Sequence, residues 1–361
     1  MKILLVNAGN ETGGGRTHIV QLIGALNKIE DISAELLVFE DGAVAKMARE
    51  HDVKTTVIPQ SSQMDMSVIG KYRQFVQDHD FDIVHTHGPR ANVLTRFIYK
   101  QISATWVVTV HSEPKVDFLN KGIKGTIFYK LNVSALKKAK HLYLITNYFH
   151  DELIGYGIPE TKMTPIFNAI NFFDGPVAKK DHEAFNILNV ARVVVVKNQA
   201  LLLRALAKVD FDYRLTVLGN GPLEADLKQL AQELGIAEKV NIAGFTEDPT
   251  PYYEASDLFV LPSTSEGFPT VLLEAANYEL PSIATNVGSD EEVIPNEDTG
   301  WIFKSEDEAQ LVKDLNQAHQ EYEQGTLAQR GKVFKDFASS HFSVTHLAQK
   351  MIALYEAAQN K

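Results

Sequence analysis

The sequence predicts an α/β protein made of two domains, each built around a doubly wound parallel β-sheet. Its 361 residues are about twice the length of a typical domain. Short apolar runs, typical of buried strands, alternate with amphipathic stretches of helix length along the whole chain, as in parallel sheets covered by helices. The polar segment 175–184, GPVAKKDHEA, separates two such series and is predicted to be the linker.

The first series predicts a sheet whose strands are joined by helices. The strands are predicted at KILLV, AELLVF, TTVI, DIVHTH, TWVVTV, LYLIT and MTPIF. The helices between them are predicted at VQLIGALNKI, MSVIGKYRQFVQ, ANVLTRFIYKQ and FYKLNVSALKKA.

The second series repeats this alternation and defines the second domain. Its strands are predicted at FNILNV, RLTVLG, VNIAGF, DLFVLP and SIATNV, and its helices at QALLLRALAKV, EADLKQLAQELG, PYYEAS and TVLLEAANY. Long helical patterns at 306–324 and 344–359 close the chain. We therefore predict domains at 1–175 and 176–340, followed by a C-terminal helix, 341–361, that packs back on the first domain.

The composition is that of a soluble globular protein, with 45% apolar residues. No apolar run approaches the ~18 residues of a membrane-spanning helix, and the opening MKILLVNAGN is expected to be a buried strand, not a signal peptide. The chain has no cysteine, which excludes disulfides, thiolate metal sites and cysteine nucleophiles. These features predict a cytoplasmic enzyme.

The net charge of −11 is divided unevenly along the chain. Residues 1–180 hold 21 basic and 18 acidic residues, a balance of +3, whereas residues 181–361 hold 14 and 28, a balance of −14. The segment 96–140 is the basic part of the first half, and it mixes lysines with apolar residues, as in FLNKGIKGTIFYKL. This pattern fits either a solvated helix face or an anionic membrane surface, at the inner face of the cell membrane. The acidic whole argues against nucleic acid.

Two glycine-containing segments follow predicted strands, where doubly wound sheets bind ligands. Gly13, Gly14 and Gly15 follow KILLV and precede a helix, while Gly219 and Gly221, in GNGPLEADL, follow RLTVLG. A loop of this kind suits a phosphate at a helix N-terminus, although a glycine triplet also suits a simple turn.

A third segment, STSEGFPTVLLEAA, follows the predicted strand DLFVLP. Pro269 suits the first turn of a helix, where a missing N–H costs nothing. The amides of Phe268, Thr270 and Val271 are then expected to be unpaired. Together with the helix dipole, they would form an anion site of diphosphate size.

The same segment places Glu266 and Glu274 eight positions apart. A glycosidase needs its two carboxylates within about 10 Å, whereas eight helical residues rise ~12 Å. We therefore expect the two glutamates to bind different ends of one long ligand, with a diphosphate between them. Arg192 and Lys197 follow the strand FNILNV and could stabilise a diphosphate leaving group electrostatically. Each of these residues, taken singly, also fits an ordinary surface position.

These motifs resemble those of the retaining glycosyltransferases of family 4. These enzymes have the GT-B fold, with two Rossmann-like doubly wound parallel-sheet domains facing across a cleft. The motifs that carry the resemblance are Arg-x4-Lys-Asn at 192–198, GNGPLEADL, SEGFPTVLLEA, TNVGSDEEVI, GGGRTHIVQLIGAL, VVTVHS and ITNYFHDELIGYGIPETKMTPIFNAIN. The resemblance extends over nearly the whole chain.

The resemblance implies transfer of a sugar from a nucleotide diphosphate sugar to an acceptor hydroxyl, with retention of anomeric configuration and without a metal or other cofactor. UDP is the favoured nucleotide, and the acceptor is a glycan or a lipid-linked precursor of the bacterial cell surface. A nucleotide-sugar 2-epimerase, a disaccharide phosphorylase and a non-catalytic nucleotide-binding subunit remain alternatives.

By matching position, the resemblance also implies site residues. The catalytic residues would be Glu266, at the donor sugar, His111, near the reacting sugar, and the diphosphate-binding Arg192 and Lys197. The other donor-binding residues would be Gly13, Gly14, Gly15, Gly219, Gly221, Gly267, Phe268, Thr270, Val271 and Glu274, the last at the ribose. His85, His87 and Asn168 would lie on the acceptor side. The chain departs from the family at Ala169 and Asn171, which replace Gly and Asp, and at Arg16, where many members have Glu.

Two patterns raise the question of a metal. Asp-x-Asp occurs at 80–82 and 210–212, in each case before a predicted strand and so away from the ligand edge; we interpret both as turns. His85 and His87 alternate on one strand and share a face, and His111 could supply a third zinc ligand. We favour a polar acceptor-side wall there and predict no metal.

Overall fold

The computed structural model describes residues 1–11, 14–61, 65–115, 122–175, 177–178 and 184–360. Within this part, the chain forms two compact units, Met1–Ile170 with Val344–Lys361, and Asn171–Ser343. The predicted linker, 175–184, lies partly outside the described residues.

The first unit is built on a parallel sheet of seven strands in the order β3-β2-β1-β4-β5-β6-β7. The strands are β1 Lys2–Asn7, β2 Ser33–Val38, β3 Thr55–Val57, β4 Ile83–His87, β5 Thr105–Val110, β6 His141–Leu144 and β7 Met163–Pro165. The helices are α1 Gly14–Leu26, α2 Ala43–Glu50, α3 Val68–His79, α4 Pro89–Ile98, α5 Gly122–Lys138 and α6 Phe149–Gly155, with the C-terminal α14 Val344–Asn360.

Both faces of this sheet are buried, because alternate residues of each strand point to opposite sides. On β1, Leu4 and Val6 enter one core cluster, whereas Ile3 and Leu5 enter the other. Helix α14 packs on α1 and covers the second face, with Tyr355 fully buried. The register pairs Asn7 of β1 with His87 of β4, so the polar strand ends of this unit meet at one edge.

The second unit contains a parallel sheet of six strands in the order β10-β9-β8-β11-β12-β13. The strands are β8 Phe185–Val190, β9 Tyr213–Leu218, β10 Val240–Gly244, β11 Leu258–Leu261, β12 Ser282–Thr285 and β13 Gly300–Phe303. The helices are α7 Gln199–Leu206, α8 Glu224–Glu233, α9 Thr250–Glu254, α10 Thr270–Asn277, α11 Asp290–Val293, α12 Glu308–Glu323 and α13 Leu327–Phe342.

The predicted fold class is confirmed: both sheets are parallel, with helices between successive strands. The sequence patterns missed the strand β13 and the helices α2, α6, α11 and α13. No helix in the described part of the chain is long and apolar enough to cross a membrane.

Both Asp-x-Asp pairs lie at the amino ends of strands, as predicted. Asp80 ends α3 in the left-handed conformation, with φ 49°, and the Asp82 carboxylate accepts a hydrogen bond from the Lys2 amide at 2.7 Å. Asp212 precedes β9 and pairs with Lys239 at 2.9 Å. These contacts give the aspartates structural roles.

Candidate functional site

In the second unit, a partly buried ion pair joins two of the predicted site residues. Lys197 Nζ lies 2.5 Å from Glu266 Oε1, and only 17% and 9% of the two side chains are exposed. The Ser263 hydroxyl donates to the same Glu266 oxygen at 2.6 Å. Because Lys197 precedes α7 and Glu266 precedes α10, the pair lies where the chain leaves the carboxyl edge of the sheet, the edge at which such sheets bind ligands.

A third ionisable residue, Asp290, lies beside this pair. It begins α11 and is fully buried, and neither carboxyl oxygen has a hydrogen-bond partner among the described residues. Burial, reinforced by the Glu266 carboxylate, raises the Asp290 pKa to about 9. Asp290 is therefore neutral at physiological pH, and Lys197 faces one carboxylate instead of two.

Glycines shape the loop that carries Glu266. Gly288 has φ +61°, and a β-carbon there would lie 2.4 Å from the Glu266 carbonyl oxygen. A larger residue at Gly288 would therefore displace the Glu266 backbone. The predicted site residue Gly267 faces open space instead, with no atom within 4 Å of an added β-carbon.

Gly219 and Gly221 lie against the backbone that carries Arg192. A β-carbon on Gly219 would lie 2.1 Å from the Ala191 carbonyl oxygen, and one on Gly221 would lie 2.1 Å from that of Val193. The Arg192 side chain is exposed and makes no ion pair with any described residue. The two glycines thus allow the close approach that fixes the Arg192 loop.

One expectation about the helix start is wrong. Pro269 precedes α10 with φ −84° and ψ 81° and does not lie within its first turn. Such angles form an inverse γ-turn, and the Thr270 amide donates to the Phe268 carbonyl at 3.1 Å. The Thr270 N–H is therefore not unpaired. Val271 lies in the first turn of the helix.

Glu274 is a partly buried residue of α10. Its carboxylate accepts a hydrogen bond from the buried Tyr253 hydroxyl at 2.9 Å. Burial raises the Glu274 pKa, and the Tyr253 bond partly offsets this. The tyrosine fixes the orientation of a carboxylate that the helix alone would leave free to rotate.

In the first unit, the strand β1 leads into the glycine loop. The Asn7 amide nitrogen donates to Glu11 Oε2 at 2.6 Å and to the His87 carbonyl at 3.0 Å. Gly15 allows Glu11 to lie at the start of α1, because a β-carbon there would be 2.3 Å from Glu11 Oε1. Gly14 faces open space, and Gly13 lies outside the described residues.

The predicted histidines form one cluster. Nδ1 of His87 lies 2.8 Å from Nε2 of His111, and the rings of His85 and His87 are 4.2 Å apart, so the shared face is confirmed. His18, which the sequence patterns did not single out, joins them with its ring 5.2 Å from that of His111. Asn168 lies beside His18 and opposes the lowering of its pKa.

His85 has a different role from the predicted one. It has no exposed surface, and its ring nitrogens lie 2.7 Å from the hydroxyls of Tyr355 and Thr109. A ring with both nitrogens paired and no surface does not contact an acceptor, which corrects the expectation. His85 instead supports the neighbouring His87.

The fold places the protein in the GT-B class. The structure of HepE from Anabaena in complex with UDP superimposes with a TM-score of 0.81 at 19% identity, covering 99% of this chain and 100% of that chain. Family models agree: that of the glycosyl transferases group 1 matches residues 173–331, and that of glycosyltransferase family 4 matches residues 12–172. The chain belongs to the family 4 glycosyltransferases.

The curated relatives are also named as glycosyltransferases. An uncharacterized glycosyltransferase of Haemophilus influenzae is 34% identical over 134 residues, 36% of this chain and 38% of that protein. The N-acetylgalactosamine-N,N'-diacetylbacillosaminyl-diphospho-undecaprenol 4-alpha-N-acetylgalactosaminyltransferase of Campylobacter jejuni is 31% identical over 170 residues, 46% of each chain. This chain therefore spans less than half the length of either relative. The Escherichia coli UDP-Gal:alpha-D-GlcNAc-diphosphoundecaprenol alpha-1,3-galactosyltransferase is 26% identical over 265 residues, 67% of each chain.

Sequence reasoning missed several residues that support these sites. They are Glu11, His18, Tyr253, Ser263, Gly288 and Asp290. For three of them a signal was present, because His18 lies in GGGRTHIVQ and both Gly288 and Asp290 lie in TNVGSDEEVI, segments quoted for the family. Tyr253 gives no such signal, because its contact with Glu274 joins two separate helices.

Proposed function

We propose that this protein transfers a sugar from a nucleotide diphosphate sugar, with UDP favoured, to a hydroxyl of a glycan or lipid-linked acceptor in bacterial cell-surface polysaccharide or glycolipid synthesis. The observation that carries the proposal is the partly buried Lys197–Glu266 pair at the carboxyl edge of the second sheet. Relatives named for UDP-galactose and for diphosphoundecaprenol acceptors, and the UDP complex of HepE, support the choice of donor and acceptor.

In this proposal, the second unit binds the donor without a metal at the diphosphate. Arg192 is exposed and unpaired among the described residues, and Lys197 is positioned by Glu266. The two cations would neutralise charge that develops on the departing diphosphate. Glu266 would accept hydrogen bonds from the sugar hydroxyls, and Glu274 those from the ribose.

The remaining predicted residues take supporting roles. The backbone at Gly267, Phe268 and Val271 would lie along the phosphates. In the first unit, which we assign to the acceptor, Gly14 is proposed to lie near phosphate and His111 near the reacting sugar. Transfer would retain the anomeric configuration, with a phosphate oxygen taking the acceptor proton as the diphosphate leaves.

The test is product analysis with UDP-sugars and lipid-linked acceptors. We expect a new glycosidic bond with the donor's own anomeric configuration, measured by proton coupling constants, and release of UDP that depends on the acceptor. Inverted product would contradict retention. Conversion of donor without acceptor would indicate a 2-epimerase, and dependence on inorganic phosphate would indicate a phosphorylase.

We also propose that the protein lies on the inner face of the cell membrane through the region 96–140. On α5, Ile123 and Ile127 are 83% and 52% exposed, and Lys124 between them is exposed. Exposed apolar and basic side chains on one helix suit the headgroup region of an anionic bilayer. Lys121 lies outside the described residues.

Vesicle sedimentation tests this surface. Replacing Lys124, Lys137 and Lys138 with Gln should reduce binding to vesicles containing anionic lipid, and Ile127→Ser should reduce it further. Replacing the exposed Lys228 with Gln is the control and should change nothing. If the wild-type protein does not sediment with anionic vesicles, the membrane assignment is wrong.

A further inference from the structure

A cavity of about 340 Å³ lies at the edge of the second sheet. It is lined by residues of α12, of the edge strand β13 and of the segment that precedes β13. Its volume is at the small end of the range for small-molecule sites, about 300–1,000 Å³, and far exceeds the ~30 Å³ of one water molecule. Among the described residues that line it, none is assigned to the donor, so the cavity is separate from the sites described above.

Two buried polar side chains line this cavity, and each has a polar atom without a partner. Trp301, on β13, and Asp314, on α12, are only 5% and 3% exposed. Neither Nε1 of Trp301 nor Oδ2 of Asp314 has a hydrogen-bond partner in the part of the chain that the structure describes. Because buried polar atoms are nearly always paired, two such atoms on residues of one cavity indicate a ligand.

The chemistry of these two atoms indicates which groups the ligand carries. An indole N–H only donates a hydrogen bond, and an ionised carboxylate only accepts one. Burial raises the Asp314 pKa to about 6, and the hydrogen bond from Gln310 opposes this, so the carboxyl group is mostly ionised at pH 7. A bare cation would leave the indole N–H unpaired, and an anion would leave the carboxylate unpaired. A hydroxyl group both donates and accepts, so a ligand with several hydroxyls satisfies both atoms.

The rim of the cavity favours an uncharged ligand over an anionic one. Glu291 and Glu297 carry negative charge there, opposed among the described lining residues by Lys313, and all three side chains are exposed. The amide side chains of Gln310 and Gln317 also line the cavity, and each offers a donor and an acceptor to hydroxyl groups. A phosphorylated sugar would therefore bind less tightly than the same sugar without phosphate.

Neighbouring contacts hold the two side chains in position. The guanidinium carbon Cζ of Arg330 lies 4.3 Å from the centre of the Trp301 ring. Arg330 is itself fixed by Glu321, whose carboxylate accepts from Nε at 2.9 Å and from Nη2 at 2.6 Å. Nε2 of Gln310 donates to Oδ1 of Asp314 at 2.8 Å. Both side chains are therefore ordered before a ligand arrives, which lowers the entropy cost of binding.

We propose that this cavity binds one pyranose unit of an uncharged saccharide, with hydroxyl groups of the sugar paired to Trp301 and Asp314. The saccharide site goes beyond the proposed function, because it involves neither the donor residues nor the transfer step. It gives the second unit a place to hold a sugar that is not being transferred.

The experiment follows the indole N–H signals of the ¹⁵N-labelled full chain by NMR. The chain has two tryptophans, and Trp106 donates to Thr86 at 3.0 Å in the first unit, so its signal is the internal control. Trp301→Phe removes one signal and thereby assigns both. Glucose, galactose and N-acetylglucosamine are the probes, and at least one should shift the Trp301 signal saturably with a Kd of about 1–10 mM.

Three results of this titration would overturn the proposal. They are no shift of the Trp301 signal with any of the three sugars, equal shifts of both tryptophan signals, and loss of the shift when UDP is added, which would place the sugar at the donor site. The 6-phosphate of the sugar that binds should have a higher Kd, and an equal Kd would contradict the choice of an uncharged ligand. Because the titration needs no nucleotide, its outcome is independent of UDP binding.

Variants locate the sugar. Asp314→Ala should raise the sugar Kd by at least about tenfold, the effect of losing a hydrogen bond to a charged group, and Gln317→Ala, at the exposed rim, by about 2–10-fold. Asp336→Ala, at an exposed position of α13, is the control and should leave the Kd unchanged. Melting curves check that each variant folds, and Gln317→Ala decides alone if Asp314→Ala does not. A wild-type Kd in every folded cavity variant would overturn the proposal.

Discussion

The Glu266 carboxylate is held by a cation and by a hydroxyl group, two partners that suit a carboxylate at this position. It pairs with Lys197 and accepts from Ser263, so its oxygens are directed before any ligand arrives. Removing one member of such an ion pair leaves the other charge uncompensated. The transfer rate is therefore expected to fall even after a conservative substitution of Glu266.

The substitution Glu266→Gln keeps the shape and one acceptor oxygen but removes the charge. We expect the transfer rate to fall by about 10²–10³, the range for loss of one electrostatic contact in an active site, while the chain stays folded by circular dichroism. Glu297→Gln, at an exposed position, serves as the control. Unchanged turnover of the Glu266 variant would remove this residue from the reaction.

Glu274 should act on donor binding. Tyr253 orients its carboxylate at 2.9 Å, and a hydrogen bond to a charged group contributes about 1.5–3 kcal/mol. Glu274→Gln is expected to raise the donor KM by about tenfold or more, with a smaller change in kcat, and Tyr253→Phe should raise it less. A donor KM that stays at the wild-type value in both variants would contradict the ribose assignment.

Asp290 makes stability depend on pH in an unusual direction. Its pKa is about 9 in the folded protein against an ordinary 3.8, so between these values the folded state holds one more proton than the unfolded chain. The free energy of unfolding then falls as pH rises, by at most about 1.4 kcal/mol per pH unit.

Asp290→Asn removes this dependence, because an amide does not ionise. The melting temperature of the variant minus that of the wild type should therefore be larger at about pH 8 than at about pH 5. Scanning fluorimetry at both pH values measures this difference in melting temperature, with Glu297→Gln as the control. Equal differences at the two pH values would show that Asp290 is ionised in the folded protein.

At the scale of elements, the C-terminal helix α14 is tied to the first sheet by a polar contact as well as by apolar packing. The buried Tyr355 hydroxyl lies 2.7 Å from Nδ1 of His85. Tyr355→Phe should lower the free energy of unfolding by about 1–3 kcal/mol, since it leaves a buried nitrogen without a partner. Tyr148→Phe is the matched control, because Tyr148 is 67% exposed. Equal urea midpoints for the wild type and the Tyr355 variant would contradict this role.

Periodicity predicted most elements because their strands are continuous apolar runs. It missed β13, whose four residues GWIF begin with a glycine, and α11, which has a single turn. It assigned Pro269 to the first turn of α10, because a proline suits both the first helical turn and the γ-turn that Pro269 forms. Local patterns do not distinguish these cases, whereas contacts with neighbouring loops do.

The site was predictable to the extent that its residues follow strands. Lys197, Glu266 and His111 all do, and parallel topology brings such positions to one edge of each sheet. The pairing of Lys197 with Glu266 was not predictable, because 69 residues separate them and the contact depends on how two loops fold. Asp290 and His18 were missed for the same reason.

At the scale of the whole molecule, the central claim is that the second unit binds a nucleoside diphosphate without a metal. Its formal charge is strongly negative, since residues 171–343 hold 28 acidic and 14 basic residues. An anionic ligand would therefore depend on a few fixed cations, of which Lys197 and Arg192 are at the candidate site.

The most direct test is calorimetric titration of the protein with UDP and with GDP, both in EDTA. We predict that UDP binds, more tightly than GDP, and that Arg192→Gln weakens binding by about tenfold, the effect of one charged contact. Replacing Arg214, an exposed arginine on β9, with Gln should leave binding unchanged. Binding of neither nucleotide in EDTA would contradict the account.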